Sequence, residues 1–171
     1  PLLLKNNYKV IVIDNLFYNQ TSLLDCFYNN NFEFYKDSIA NYGLMKKLIS
    51  KVDIIIPLAA IVGAPATKKY SDLSMLYNYE APQKMMSMLS KDQKIIFPTT
   101  NSGYGVGKKN SYCDENSPLK PVSEYGKHKV MLEKKFLRFK NSFSLRLATV
   151  FGMSSRMRSD LLVNNFVFDA I

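Results

Sequence analysis

Four short runs of almost unbroken apolar residues limit what this chain can fold into: YKVIVID at 8–14, VDIIIPLAA at 52–60, QKIIFP at 93–98 and FSLRLATVFG at 143–152. Each is rich in β-branched or aromatic residues and too short for a buried helix. Each is also nearly continuous in hydrophobicity rather than apolar at every second position, which is the pattern of a strand covered on both faces. Strands of that kind sit in parallel sheets. Between them lie segments with helical spacing at roughly 21–29, 41–50, 72–90, 122–140 and 158–171, and FEFY at 32–35 is a further strand candidate. Strand and helix in alternation predict an α/β fold, a doubly wound parallel sheet with helices on both faces.

A chain of 171 residues with 47% hydrophobic composition can bury one core. It shows no internal repeat, low-complexity tract or linker, so residues 1–171 are expected to form a single domain. PLLLKNN reads as the last turns of a helix running into the strand at Tyr8, and DLLVNNFVFDAI stops in mid-helix. The expectation is an internal piece of a dinucleotide-type fold, truncated at both ends, with its first strand and glycine loop missing. No apolar run approaches the ~20 residues of a membrane-spanning helix, and the opening is unlike a signal peptide, so a cytoplasmic protein without a membrane partner is expected. Cys26 and Cys113 are the only cysteines and His128 the only histidine, which leaves no zinc ligand set and no metal site in the reading. Twenty-three basic against fourteen acidic residues give +9, but the lysines are spread along the chain rather than clustered with stacking aromatics. That distribution argues against a nucleic-acid partner.

Chemistry is expected where strands end. Asp14 closes the first strand, where an acid can hydrogen-bond the adenosine ribose of a dinucleotide, or simply open a turn. No Arg or Lys in the following NLFYNQ would pair with a 2′-phosphate, which favours NAD over NADP. IIFPTTNSGYGVGKKN ends an apolar strand in Thr99, Thr100 and Ser102, all candidate site residues. Gly103, Gly105 and Gly107 mimic a phosphate cradle without the helix start, or the Ser or Thr after GK, that a P-loop requires. In SEYGKHKVMLEKKF, Tyr125 and Lys129 lie one helical turn apart on one face. Tyr42 with Lys46 and Tyr104 with Lys108 share this spacing, so context singles out Tyr125: it opens a helix after a Pro-rich loop, downstream of the hydroxyl-bearing strand end. An ammonium beside a phenol stabilises phenolate and would lower the Tyr125 pKa from about 10. His128 lies off that face and reads as a surface residue, Met85, Met86 and Met88 as helix packing, and Arg146 as a strand charge requiring an ion-pair or ligand partner.

Together these residues resemble the extended short-chain dehydrogenase/reductase family, specifically its NAD-dependent epimerase/dehydratase group, from VIVIDNL to LRLATVFG. The resemblance implies a Rossmann-type fold, NAD as cofactor and a nucleotide-sugar substrate. It implies cofactor contacts from Asp14, Asn15, Leu16, Asp37, Ser38, Leu58, Ala59, Ala60, Asn78, Thr99, Tyr125, Lys129 and Val150, Asn78 of LYNYEAP shaping the site from below. It makes Thr100, Tyr125 and Lys129 catalytic, and it places substrate beside Thr100, Asn101, Ser102 and Thr149. The dehydratases of this group carry an Asp-Glu pair where this chain has Asn101 and Ser102, so the resemblance implies an epimerase. A reductase or dehydrogenase of the same family, or a non-catalytic NAD sensor on the same fold, is the alternative. A homodimer through the helices at 72–90 and 122–140 is implied in the same way.

Overall fold

The parallel pairing anticipated from the apolar runs is present in the computed structural model, which describes residues 1–107, 111–155 and 157–171. The chain forms two compact units, residues 1–38 with 149–171, and residues 39–148. In the first, β1 (Val10–Ile13) pairs in parallel with β2 (Phe32–Tyr35), Val10 opposite Phe32 and Ile13 opposite Tyr35. A helix α1 (Leu2–Lys5) leads into β1, and α7 (Leu162–Asp169) belongs to the same unit. The helix expected at 21–29 reduces to a single 3₁₀ turn, Leu24–Cys26, because the asparagines beyond it turn the chain instead: Asn31 N donates to Asn29 Oδ1 at 2.9 Å.

The second unit contains α2 (Tyr42–Ile49) and a parallel three-stranded sheet, β3 (Ile54–Ile55), β4 (Lys94–Thr100) and β5 (Ser142–Leu147), with β4 in the centre. The β3 ladder is short because Pro57 has no amide to donate. The crossover from β3 to β4 runs through α3 (Ala64–Lys69), α4 (Ser71–Met75), a π turn (Leu76–Glu80) and α5 (Ala81–Met86). The helix expected at 72–90 is therefore segmented and starts earlier. Pro82 supplies the reason: its ring would press on the carbonyl of Asn78 four residues back, and the wider π turn relieves that clash.

From β4 the chain passes to α6 (Glu124–Phe136) and returns to β5. Ser123 caps α6, its hydroxyl accepting from Gly126 N at 3.1 Å, while Glu124 in the first turn and Lys134 and Lys135 in the last complement the helix dipole. Its inward residues, Gly126, Lys129, Val130, Leu132, Glu133 and Phe136, recur every three or four positions and face β4. Phe136 stacks on Phe97 with ring centroids 4.5 Å apart, both rings fully buried. The two faces of this three-stranded sheet are covered unequally. Register puts Ile95, Phe97 and Thr99 on the face toward α6, whereas Phe143, Leu145 and Leu147 of β5 share the opposite face and are 50%, 42% and 41% exposed. Among the described residues no helix is long and apolar enough to cross a membrane.

Phe136→Ala should therefore cost about 3–5 kcal/mol of stability, since it empties a fully packed site, whereas Leu137→Ala on the half-exposed next residue should cost under about 1 kcal/mol. Urea denaturation of both variants measures this.

Candidate active site

At the carboxyl end of β4 the chain turns directly into a 3₁₀ segment, Asn101–Tyr104. Thr100 caps it: the Thr100 hydroxyl oxygen accepts from Ser102 N at 3.1 Å, which leaves the hydroxyl proton available to donate elsewhere. The neighbouring Thr99 is buried on the opposite face of the strand, and its hydroxyl has no protein partner. Two glycines let this segment and α6 approach closely. A Cβ on Gly103 would press on Val130, and one on Gly126 would crowd Pro121, Ser123 and the Ser102 carbonyl. Gly105 has φ +72°, and a side chain there would collide with the Lys120 carbonyl, so only glycine fits.

Tyr125 and Lys129 come to this place on α6, as their spacing implied. Lys129 is only 7% exposed. Its ammonium donates to the Pro98 carbonyl at 3.2 Å and sits 4.8 Å from the centre of the Phe97 ring and 5.9 Å from that of Tyr125. Burial lowers its pKa from 10.5 to about 8. For Tyr125 the expectation of a lowered pKa is not met: burial raises it above 10.0. The Lys129 ammonium lies toward the ring and the strand carbonyl, so desolvation of the phenolate dominates.

Asn78 sits in the π turn, 1% exposed, and its amide is committed to the backbone after β3. Its Oδ1 accepts from Ile61 N at 2.8 Å, and its Nδ2 donates to Ile61 O at 2.8 Å and Ser74 Oγ at 2.9 Å. With both amide protons committed, Asn78 holds the loop that carries Leu58, Ala59 and Ala60 rather than presenting a donor to a ligand. Leu58 is 70% exposed on that loop. His128 is not the surface residue its position suggested. It is half-buried and stacks on Tyr79 at 5.8 Å, with Nδ1 buried and without a protein partner. Arg146 takes the ion-pair alternative, with Glu133 as partner. Sequence reasoning missed Glu133, although its position four residues after Lys129 on the same helical face was the available signal.

Of the remaining candidates, Asp14, Asn15, Leu16, Asp37, Ser38, Thr149 and Val150 lie in the other unit. Asp14 ends β1, and its Oδ1 accepts from Leu16 N at 2.6 Å, supporting Leu16 at φ +54°. The turn-opening role and a ligand-binding role are compatible, because a carboxylate retains further acceptor capacity. The Asp37 carboxylate accepts from Ser38 N at 2.7 Å. Asn15 lies between Asp14 and Leu16, and Thr149 and Val150 are exposed. Asn101 and Ser102 are exposed beside Thr100. Lys108, part of one of the chance Tyr-x-x-x-Lys pairs, lies outside the described residues.

The family described as NAD dependent epimerase/dehydratase matches residues 1–171. The chain belongs to that family. A bifunctional polymyxin resistance protein ArnA from Wigglesworthia glossinidia brevipalpis is 38% identical over 122 residues, covering 69% of this chain and 18% of that protein. An uncharacterized UDP-glucose epimerase, YtcB, from Bacillus subtilis is 31% identical over 144 residues, 80% of this chain and 44% of its own length. The chain thus spans less than half of these relatives. The crystal structure of UDP-glucuronic acid 4-epimerase from Bacillus cereus, in complex with UDP-glucuronic acid and NAD, matches with TM-score 0.81 at 25% identity, covering 99% of this chain and 57% of that one. A dTDP-glucose 4,6-dehydratase from Bacillus anthracis matches with TM-score 0.83 at 21% identity, 99% and 55% covered, and speaks for the fold alone. The fold is the Rossmann-type α/β fold.

The buried ammonium has a consequence for stability. Between pH about 8 and 10.5 the unfolded chain holds the Lys129 proton and the folded chain does not, so raising pH through that window stabilises the fold. Lys129→Met removes the effect, and its stability advantage over the parent should shrink by roughly 2 kcal/mol between pH about 7.5 and 9.5. Chemical denaturation at the two pH values reads this directly.

Proposed function

We propose that this chain is the catalytic part of an NAD-dependent nucleotide-sugar epimerase that works through a transient keto-sugar. The observation that carries the reading is the Tyr125–Lys129 pair on one face of α6, Lys129 buried against the end of β4 where Thr100 offers a free hydroxyl proton. Membership of the family supplies the reaction class, and the similarity to UDP-glucose and UDP-glucuronic acid 4-epimerases supports the substrate class.

The donor set fits a dinucleotide. Lys129 spends one proton on the Pro98 carbonyl and keeps two for ribose hydroxyls. When bound, NAD would supply the hydride acceptor and donor. On this reading Tyr125 takes the proton from a sugar hydroxyl as hydride leaves the same carbon, and returns it after the keto-sugar has presented its other face. The raised pKa of Tyr125 gives it a proton to return, but taking one up requires the phenolate, which a nearby positive charge must stabilise. Lys129 lies within reach of the phenol ring to do so. Thr100 donates to the reacting oxygen and holds it as the carbonyl forms. Asn101 and Ser102 offer neither an acid nor a base for eliminating water, which favours epimerisation over dehydration. Residues 1–171 are read as one partial NAD-binding domain of a cytoplasmic homodimer, on the family resemblance alone.

The test is a nucleotide-sugar panel run on the full-length protein, with and without added NAD. An epimerase recycles its cofactor, so turnover should proceed without net NADH production. Tyr125→Phe should lose roughly 10²–10⁴-fold in kcat, the range for removing a general acid–base group. Stoichiometric NADH, or near-normal turnover by Tyr125→Phe, would overturn the reading.

A further inference from the structure

The charge inside β5 is a strongly polar feature of the second unit that the proposed reaction does not use. Arg146 lies opposite Thr99 in the ladder and reaches three separate segments. Its Nε donates to Glu133 Oε1 on α6 at 2.8 Å, and its Nη1 donates to Tyr104 Oη at 3.2 Å and to the Glu115 carbonyl at 2.9 Å. The guanidinium also lies over the Tyr104 ring, 5.3 Å from its centre. The Glu133 side chain is 4% exposed and that of Arg146 16%. Tyr104 ends the 3₁₀ segment that begins just after Thr100, Glu115 lies in the loop leading to α6, and Glu133 is one turn beyond Lys129.

We propose that Arg146 is a positioning residue, whose fork sets the 101–104 segment against α6 and so aligns Thr100 with Tyr125 and Lys129. This rests on the reading of those three residues given above. A buried ion pair contributes little net stability compared with well-packed apolar side chains, so geometry is the better reason for placing one here. Gly103 lies against Val130 and Gly126 against the Ser102 carbonyl, so at this close approach neither glycine contributes a side chain that would fix the angle between the two elements. The planar fork of arginine can bond a carboxylate, a phenol and a carbonyl at fixed angles, whereas a lysine ammonium, a point charge, cannot.

The experiment compares R146K, R146M and the double variant R146M/E133M in the full-length protein. The double variant leaves no buried unpaired carboxylate and guards against simple unfolding of R146M. For it we expect a melting temperature near that of the parent, KM within about threefold, and kcat lower by roughly ten- to a hundredfold, the scale of a small misplacement of reacting groups. R146K should fall between parent and double variant. A folded double variant with kcat within about twofold of the parent would overturn the proposal and leave Arg146 a purely structural residue. If the parent turns over no nucleotide sugar, the functional reading fails separately, and amide exchange decides the positioning. The amides of Ser102, Gly105 and Lys120, which bond to Thr100 Oγ1, Ser102 O and Gly103 O, should then lose protection in the double variant while those of β4 keep theirs. Unchanged protection would overturn the proposal in that case.

Discussion

Everything at the candidate site depends on the packing of α6 against β4. Phe136 on Phe97 is the apolar part of that contact, and Lys129 on the Pro98 carbonyl is the polar part. The first supplies the stabilisation and the second uses it, because an ammonium can be held in a nearly dry position only where neighbouring burial offsets its desolvation. The lowered pKa of Lys129 and the raised pKa of Tyr125 have this one origin: both groups are withdrawn from water by the same interface. A phenol in that setting holds its proton until a further positive charge arrives, so the site is biased toward the resting, protonated form.

Positions without side chains matter as much as those with them. Gly103 and Gly126 let the segment after β4 meet the start of α6 at backbone distance, and Gly105 turns the chain away through a conformation closed to other residues. The loop after β3 is held differently. There a single buried amide, Asn78, replaces the backbone partners that Ile61 lacks, and the π turn forced by Pro82 carries it. Each device fixes backbone near the carboxyl ends of strands, where ligands of open α/β sheets bind.

Much of this was legible in the residues. The four apolar runs and FEFY named all five strands, and continuous hydrophobicity gave their parallel arrangement. Capping and spacing located α2 and α6 to within a few residues, and hydroxyl residues at the end of QKIIFPTT marked the site. Interruptions were less visible. The break of the 72–90 helix depends on how Pro82 meets a carbonyl one turn earlier, and the exposure of Phe143, Leu145 and Leu147 depends on which faces of the sheet are covered, neither of which a single strand or helix pattern encodes.

Local sequence by itself determined the element types, the order of strands and helices, and the face shared by Tyr125 and Lys129, because backbone periodicity and turn chemistry act over a few residues. Tertiary structure alone decided which charges are buried and what they hold. Arg146 meets Glu133, Tyr104 and the Glu115 carbonyl across separations of 13, 42 and 31 residues. The direction of the Tyr125 shift was likewise settled by desolvation, which depends on everything packed around the ring rather than on the lysine four residues away.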